Sequence, residues 1–241
     1  MMRVVSWNLG HQTQERRLHP QLDDALRLLE PDVLVLNEYV HGTTREPFER
    51  ALGVVGLTHR LVSDRVGKNN QVLVASRSAI QQGMLRGVTT EGGAGESNFL
   101  HVTVADYGIQ LVGIRVPAYE RRAELTSYWQ SLVSLMTTME DETVMFIGDF
   151  NADPDANYHT GARDLRALRD RGWRIPAPEG THSFKSGTRI DHVAATQGVP
   201  PLRARYVTKI GDIMLCGAHG EAISDHAPIV VDVDCEVSSS P

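Results

Sequence analysis

The 241-residue chain carries 24 basic and 30 acidic residues, a formal net charge of −6, with 41% apolar and 22% charged residues. That balance is ordinary for a globular protein and speaks against a uniformly basic, duplex-binding surface, although a local basic groove stays open. Two cysteines, Cys216 and Cys235, without paired-ligand spacing exclude a disulfide framework and a thiolate zinc site.

A strand-like run begins at Arg3, leaving no room for a signal peptide, and no apolar stretch is long enough for a bilayer. A reduced, cytoplasmic protein is expected, with no membrane association and no obligate protein partner. "MRVVSWN" is the first short apolar strand. In "PQLDDALRLLEPD", Leu22, Ala25, Leu26 and Leu29 recur at helical spacing until Pro31 ends the helix. "DVLVLNE" is a near-continuous apolar run, typical of a strand covered on both faces. "NNQVLVAS", "LHVTVAD" and "IQLVGIRVP" follow as strands, the last two forming a hairpin around Asp106-Tyr107-Gly108. Between them "EGGAGES" (91–97) reads as a flexible loop.

The longest helix is expected over Glu120 to Met139, with Leu125, Tyr128, Trp129, Leu132, Val133 and Met136 as its core stripe. "TVMFIGDF" is the next strand, "GARDLRALRDRGW" a short amphipathic helix stopped by Gly172, and "TRIDHVAA" and "APIVVDVD" close the chain. No repeat or linker interrupts the pattern. One α/β domain over 1–236 is expected, followed by a frayed tail at 237–241.

Polar residues break these apolar strands in a recurrent manner, at or just past the strand end. Asn8 ends "VVSWN", Glu38 ends "VLVLNE", Arg115 ends "LVGIR", and Asp149 and Asn151 end "MFIGDFN". Asp191 lies within "TRIDHVAA", and Ser224-Asp225-His226 precedes "APIVVDV". Alternation puts Asp149 and Asn151 on one side and Phe150 on the other. Taken alone, "GDFNADP" reads equally as a polar turn after a core strand. Strand ends of open α/β sheets are also where ligands bind. Several carboxylates gathered there need a counter-ion, and oxygen donors favour a hard divalent cation.

"WNLG", "LNE", "GDFNADP", "RIDH" and "SDHAP" occur in the order and approximate spacing of the endonuclease/exonuclease/phosphatase superfamily, which this chain resembles from residue 3 to about residue 234. The resemblance implies a four-layered α/β sandwich, two mixed sheets face to face with helices outside. It implies a Mg²⁺- or Mn²⁺-dependent hydrolase acting on phosphoester bonds. By position, Glu38 resembles the principal metal carboxylate, assisted by Asn8 and Asp225. Asp149 resembles the aspartate that orients or deprotonates the attacking water. Asn151 resembles the amide that contacts a phosphate oxygen, and His226 the histidine facing the phosphate, with Asp191 as its orienting carboxylate. Those roles suit the chemistry. Phosphodiester hydrolysis needs an activated in-line water, charge stabilisation on the equatorial oxygens and help for the leaving oxygen.

The sequence departs from the family pattern at two points. The abasic-site and exonuclease III-like branch usually carries Tyr, an apolar residue, Pro and Asn where this chain has Arg115, Val116, Pro117 and Ala118; other branches usually carry His at the first of these. Gly10 replaces the acidic residue often found two after Asn8. A guanidinium at Arg115 is expected to clamp a phosphate through two hydrogen bonds. His182 and His192 are expected to be packing or rim residues, and Asp153 and Asp155 turn residues. The resulting expectation is a nuclease or phosphodiesterase acting on nucleic acid or a nucleotide-like molecule. The alternatives are a phosphomonoesterase acting on a small metabolite or lipid headgroup, and, remotely, a silent binding protein of the same fold.

Overall fold

The computed structural model describes residues 1–14, 18–118, 121–157 and 159–235. The expected tail at 237–241 and Glu120, the expected start of the long helix, lie outside them. The elements in chain order are β1 (Met2–Asn8), α1 (Leu22–Leu29), β2 (Val33–Tyr39), α2 (Arg45–Val54), β3 (His59–Val62), β4 (Gln71–Ser76), β5 (Ile80–Gln82), α3 (Ala94–Ser97), β6 (Phe99–Val104), β7 (Ile109–Arg115), α4 (Arg122–Thr137), β8 (Val144–Asp149), α5 (Ala162–Asp170), β9 (Asp191–Ala195), β10 (Leu202–Tyr206), β11 (Lys209–Ile210), β12 (Ile213–Met214) and β13 (Ile229–Val233).

Two large sheets form, in the orders β10-β13-β1-β2-β4-β3 and β5-β6-β7-β8-β9, beside a two-stranded β11-β12 ribbon. Each is mixed: β1 runs parallel to β2, and β7 parallel to β8, while the other pairs in these two sheets are antiparallel. Strand alternation sorts the side chains between two faces. Val4, Val35, Val74 and Val231 of the first sheet share one buried cluster with Val102, Leu111, Ile147 and Val193 of the second. On the outer face of the first sheet, Trp7, Leu34 and Leu36 pack with Leu26 of α1 and Phe48 and Leu52 of α2. On the outer face of the second, Val112, Val144 and Phe146 pack with Trp129 and Leu132 of α4 and Leu165 of α5. The layers therefore run helix, sheet, sheet, helix, the expected four-layered sandwich.

Several segments differ from the sequence reading: β5, β10, β11 and β12 lie where no strand was expected, and 45–62 and 91–97 differ as well. Residues 45–62, given no element, hold α2 and β3. Pro47 hides that helix, yet proline is tolerated in a first turn, where its missing N–H has no intrahelical partner to bond. The "EGGAGES" stretch, expected to be a loop, forms a 3₁₀ turn followed by α3. The Glu96 carboxylate holds it, accepting hydrogen bonds from the Thr90 amide and hydroxyl. Among the described residues no helix is long and apolar enough to cross a membrane.

Candidate active site

The apolar interior between the sheets ends in a polar row. Arg115 of β7 is the register partner of Asp149 of β8, and Asp149 that of Asp191 of β9. Register partners share a face, and Asp149 and Asp191 continue the inward alternation of Met145, Ile147, Val193 and Ala195. Both carboxylates are 1% exposed. The close approach of β7 and β8 requires Gly148, which has φ 148° and where a Cβ would lie 1.9 Å from the Ile114 carbonyl oxygen.

The first sheet supplies the facing residues. At the end of β1, Asn8 Nδ2 donates to Asp149 Oδ2 at 3.2 Å, and Asn8 Oδ1 accepts from the Gly10 amide at 3.0 Å. Glu38 arrives by a less regular route. In β2, Leu36 pairs with Leu73 and Tyr39 with Gln71, so the strand bulges across Asn37 and Glu38. Glu38 also has φ 53°, a left-handed conformation rare for a residue with a side chain. Plain alternation would send it outward with Leu34 and Leu36; the bulge re-aims it. Glu38 Oε1 lies 2.9 Å from Arg115 Nη2, and Glu38 Oε2 lies 3.2 Å from His11 Nε2. Arg115 Nε is 3.7 Å from Asp149 Oδ2.

Loops complete the ring. Asn151, at φ 48°, donates its amide hydrogen to Asp149 Oδ1 at 2.9 Å and its side-chain Nδ2 to the Val116 carbonyl at 2.7 Å. Phe150 turns the other way, against Trp129, as alternation expects. Ser224 Oγ donates to the Asn8 carbonyl at 2.7 Å and accepts from the His226 amide at 3.1 Å, while Trp7 Nε1 donates to the His226 carbonyl at 2.8 Å. These bonds pin His226 so that its Nδ1 meets Asp191 Oδ2 at 2.9 Å. The Phe184 ring lies 4.8 Å from the imidazole, centroid to centroid. Asp225 pairs with Lys185 at 3.1 Å.

Burial and the Asp191 carboxylate push Asp149 up to about 6, against the lowering pull of His226 and Arg115. Burial opposes the charged form of His226, but Asp191 outweighs it through charge and hydrogen bond, raising the imidazole to about 9. The dyad is thus biased toward an imidazolium at neutral pH, beside a buried carboxyl whose charged form burial disfavours.

Glu38, Arg115, Asp149, Asn151, Asp225 and His226 line one cavity of about 490 Å³. Asn8 and Asp191 sit buried directly behind it, touching Asp149 and His226. The eight residues singled out from sequence are therefore brought together. Missed were His11, Phe184, Lys185 and His219, which also line the cavity; they sit in loops, where no periodicity marks them. His192 is 2% exposed, held down by burial from its ordinary value, and edges against Phe150. Asp153 Oδ1 accepts from the Asp155 amide within a turn. Arg189, an alternative partner for Asp191, bonds the Gly180 and Thr181 carbonyls instead. Among the described residues, no group of three or more His, Cys, Asp and Glu side chains is already arranged to hold a metal ion.

The fold and cavity define a class: an α/β sandwich with carboxylates, an imidazole–carboxylate dyad and a guanidinium converging at strand tips. The chain belongs to the Endonuclease/Exonuclease/phosphatase family, whose model matches residues 5–226. The sequence matches none of the curated proteins. Among solved structures, an AP endonuclease from Archaeoglobus fulgidus aligns with TM-score 0.71 and 18% identity over 97% of this chain and 100% of its own. A variant of the 3′ phosphatase NExo from Neisseria, bound to a product DNA hairpin, gives 0.69 and 18% over 97% and 100%. Truncated Caenorhabditis elegans TDP2 gives 0.67 and 13% over 95% and 96%. At such identities these likenesses show the fold. Family membership places the chain among phosphoester hydrolases as a class.

Proposed function

We propose that the chain is a divalent-cation-dependent phosphodiesterase acting on nucleic acid or a nucleotide-like molecule. The observation that carries this is the His226–Asp191 dyad facing the same cavity as Asp149, Glu38 and Arg115. The donors suit a hard cation: Glu38, Asp225 and Asn8 offer oxygen, and Asp149, raised by burial and then by Asp191, is a carboxyl whose charged form a nearby cation would favour. Glu38, with Asn8 and Asp225, would hold Mg²⁺ or Mn²⁺, which supplies Lewis acidity and stabilises the leaving oxygen. Asp149 orients the attacking water and accepts its proton. The imidazolium of His226, kept in one tautomer by Asp191, donates from Nε2 to the phosphate. Arg115 and Asn151, which line the same cavity, would contact its other oxygens.

A phosphomonoesterase acting on a small molecule is the second reading, and one observation favours it. Four arginines of the basic stretches 163–171 and 203–205 are engaged within the protein. Arg166 bonds the Pro154 carbonyl, Arg169 pairs with Asp155, Arg171 with Glu140 and Arg205 with Asp232. The relatives in solved structures include an endonuclease and a 3′ phosphatase bound to DNA, which supports a nucleic-acid end as well as an internal linkage. Assays with Mn²⁺ on oligonucleotides, dinucleotides and phosphomonoesters separate the two. Cleavage of internal linkages that weakens steeply with salt marks a nuclease; release of inorganic phosphate alone marks a phosphatase.

A further inference from the structure

Each carboxylate at the cavity surface that the cation would use is already met by a cation of this chain. Glu38 Oε1 meets Arg115, its Oε2 lies 3.2 Å from His11 Nε2, and Asp225 meets Lys185. Arg115 holds Glu38 incompletely. Its Nη2 lies within hydrogen-bonding distance, but its Nε is buried without a hydrogen-bond partner among the described residues, 3.7 Å from Asp149 Oδ2. A guanidinium offers five donors in a planar fork that matches two phosphate oxygens, and it gains more from a phosphate than from one carboxylate oxygen.

Resting on the proposed reading that a divalent cation and a phosphoester meet in this cavity, we infer that Arg115 couples their binding. A phosphoester draws the guanidinium off Glu38, and the released carboxylate becomes available to the cation. Bound alone, a cation at Glu38 must face the guanidinium at close range and displace it with nothing to receive it. Bound alone, a phosphate must part Arg115 from Glu38 and leave that carboxylate without its main partner. Bound together, the two ligands share a single rearrangement, and the anionic phosphate lies between the two positive charges. Linkage makes the effect reciprocal: each ligand tightens the other by the same factor. Arg115 thereby sets affinity for the cation as well as contacting the ester, a property a Tyr or His at this strand tip would not confer.

The test is Mn²⁺ binding to the full chain, read by electron paramagnetic resonance of free Mn²⁺, with and without saturating dimethyl phosphate. No turnover is needed. In the wild type the diester tightens Mn²⁺ binding at least about tenfold. Arg115→Gln binds Mn²⁺ alone about tenfold more tightly than wild type, and the diester changes that by less than about twofold. Arg115→Lys keeps the weak intrinsic affinity, because an ammonium still competes for Glu38, and gives a smaller tightening because it lacks the fork. Circular dichroism melts establish that the variants are folded, and the wild-type comparison stands without them. Equal Mn²⁺ affinity with and without diester in the wild type overturns the coupling and leaves the cation-dependent reading intact. Coupling that persists in Arg115→Gln overturns the part assigned to Arg115. Absence of Mn²⁺ binding in every condition removes the cation from the proposed function, and the coupling with it.

Discussion

Arg115 Nη2 sits 2.9 Å from Glu38 Oε1, and the pair ties β7 of one sheet to β2 of the other. The two side chains are only 17% and 13% exposed, so the pair is largely shielded from solvent screening. Arg115→Lys keeps the charge but loses the planar fork. Turnover efficiency on a phosphoester is predicted to fall at least about tenfold, as expected where bidentate recognition matters. Steady-state kinetics check this, and unchanged KM and kcat would relegate Arg115 to a structural ion pair.

His226 depends on Asp191 for its tautomer and charge. Asp191→Asn preserves the shape but places a neutral amide against Nδ1, so kcat is predicted to fall by about a hundredfold or more with little change in KM. Nitrogen-15 NMR of the imidazole reads the cause directly. The wild type should show a doubly protonated ring at neutral pH, and the variant a neutral one. A neutral ring in both proteins would contradict the assignment.

Gly148 is where packing of the second sheet permits the site to exist. A methyl group there would lie 1.9 Å from the Ile114 carbonyl oxygen, on a backbone of φ 148° that side chains rarely adopt. Gly148→Ala is predicted to cost about 3 kcal/mol through strain and overpacking. Urea denaturation measures it, and a loss below about 1 kcal/mol would mean the strands yield more easily than the geometry implies.

Much of this site was legible in the sequence because strand alternation is a simple rule. Asn8, Arg115, Asp149 and Asp191 continue the inward parity of apolar strands, so the same pattern that builds the core also delivers them to the cavity. Glu38 was legible from its place at a strand end and from family resemblance, not from alternation. Its parity points outward with Leu34 and Leu36, and the bulge with its left-handed backbone that turns it inward leaves no mark in "VLVLNE". His11 and Lys185 were missed because their places depend on loop paths set by distant contacts. His11 sits at φ 62° and lies 3.0 Å from the Asn70 side-chain amide, and the Lys185 amide bonds the Asp225 carbonyl. The helix over 45–54 escaped notice because Pro47 in its first turn imitates a break.

Away from the site, Asp232 of β13 bonds Arg3 of β1 at 2.7 Å and Arg205 of β10. Partial burial alone would raise its carboxyl, but the hydrogen bonds to Arg3 and Arg205 outweigh it and hold the group below its ordinary value. A depressed folded value means the contribution is present above the unfolded value of about 3.9 and is lost as pH falls through the folded one. Asp232→Asn is therefore predicted to cost on the order of 1 kcal/mol at neutral pH. That gap from the wild type should close as pH falls below the unfolded value and through the depressed folded one. Denaturation of both proteins across pH checks this, and a gap that does not change with pH would show that the charge is not what the variant removes.

The measurement that bears most directly on the central claim is phosphoester hydrolysis by the full chain with Mn²⁺, compared among wild type, Glu38→Ala, Asp149→Asn and His226→Ala. Cation-dependent turnover is expected in the wild type and a drop of at least about a hundredfold in each variant, with melting curves that still report a folded protein. Turnover in all three folded variants close to that of the wild type would contradict that claim, since the cavity where these side chains meet would then not be the place where phosphoester bonds are broken.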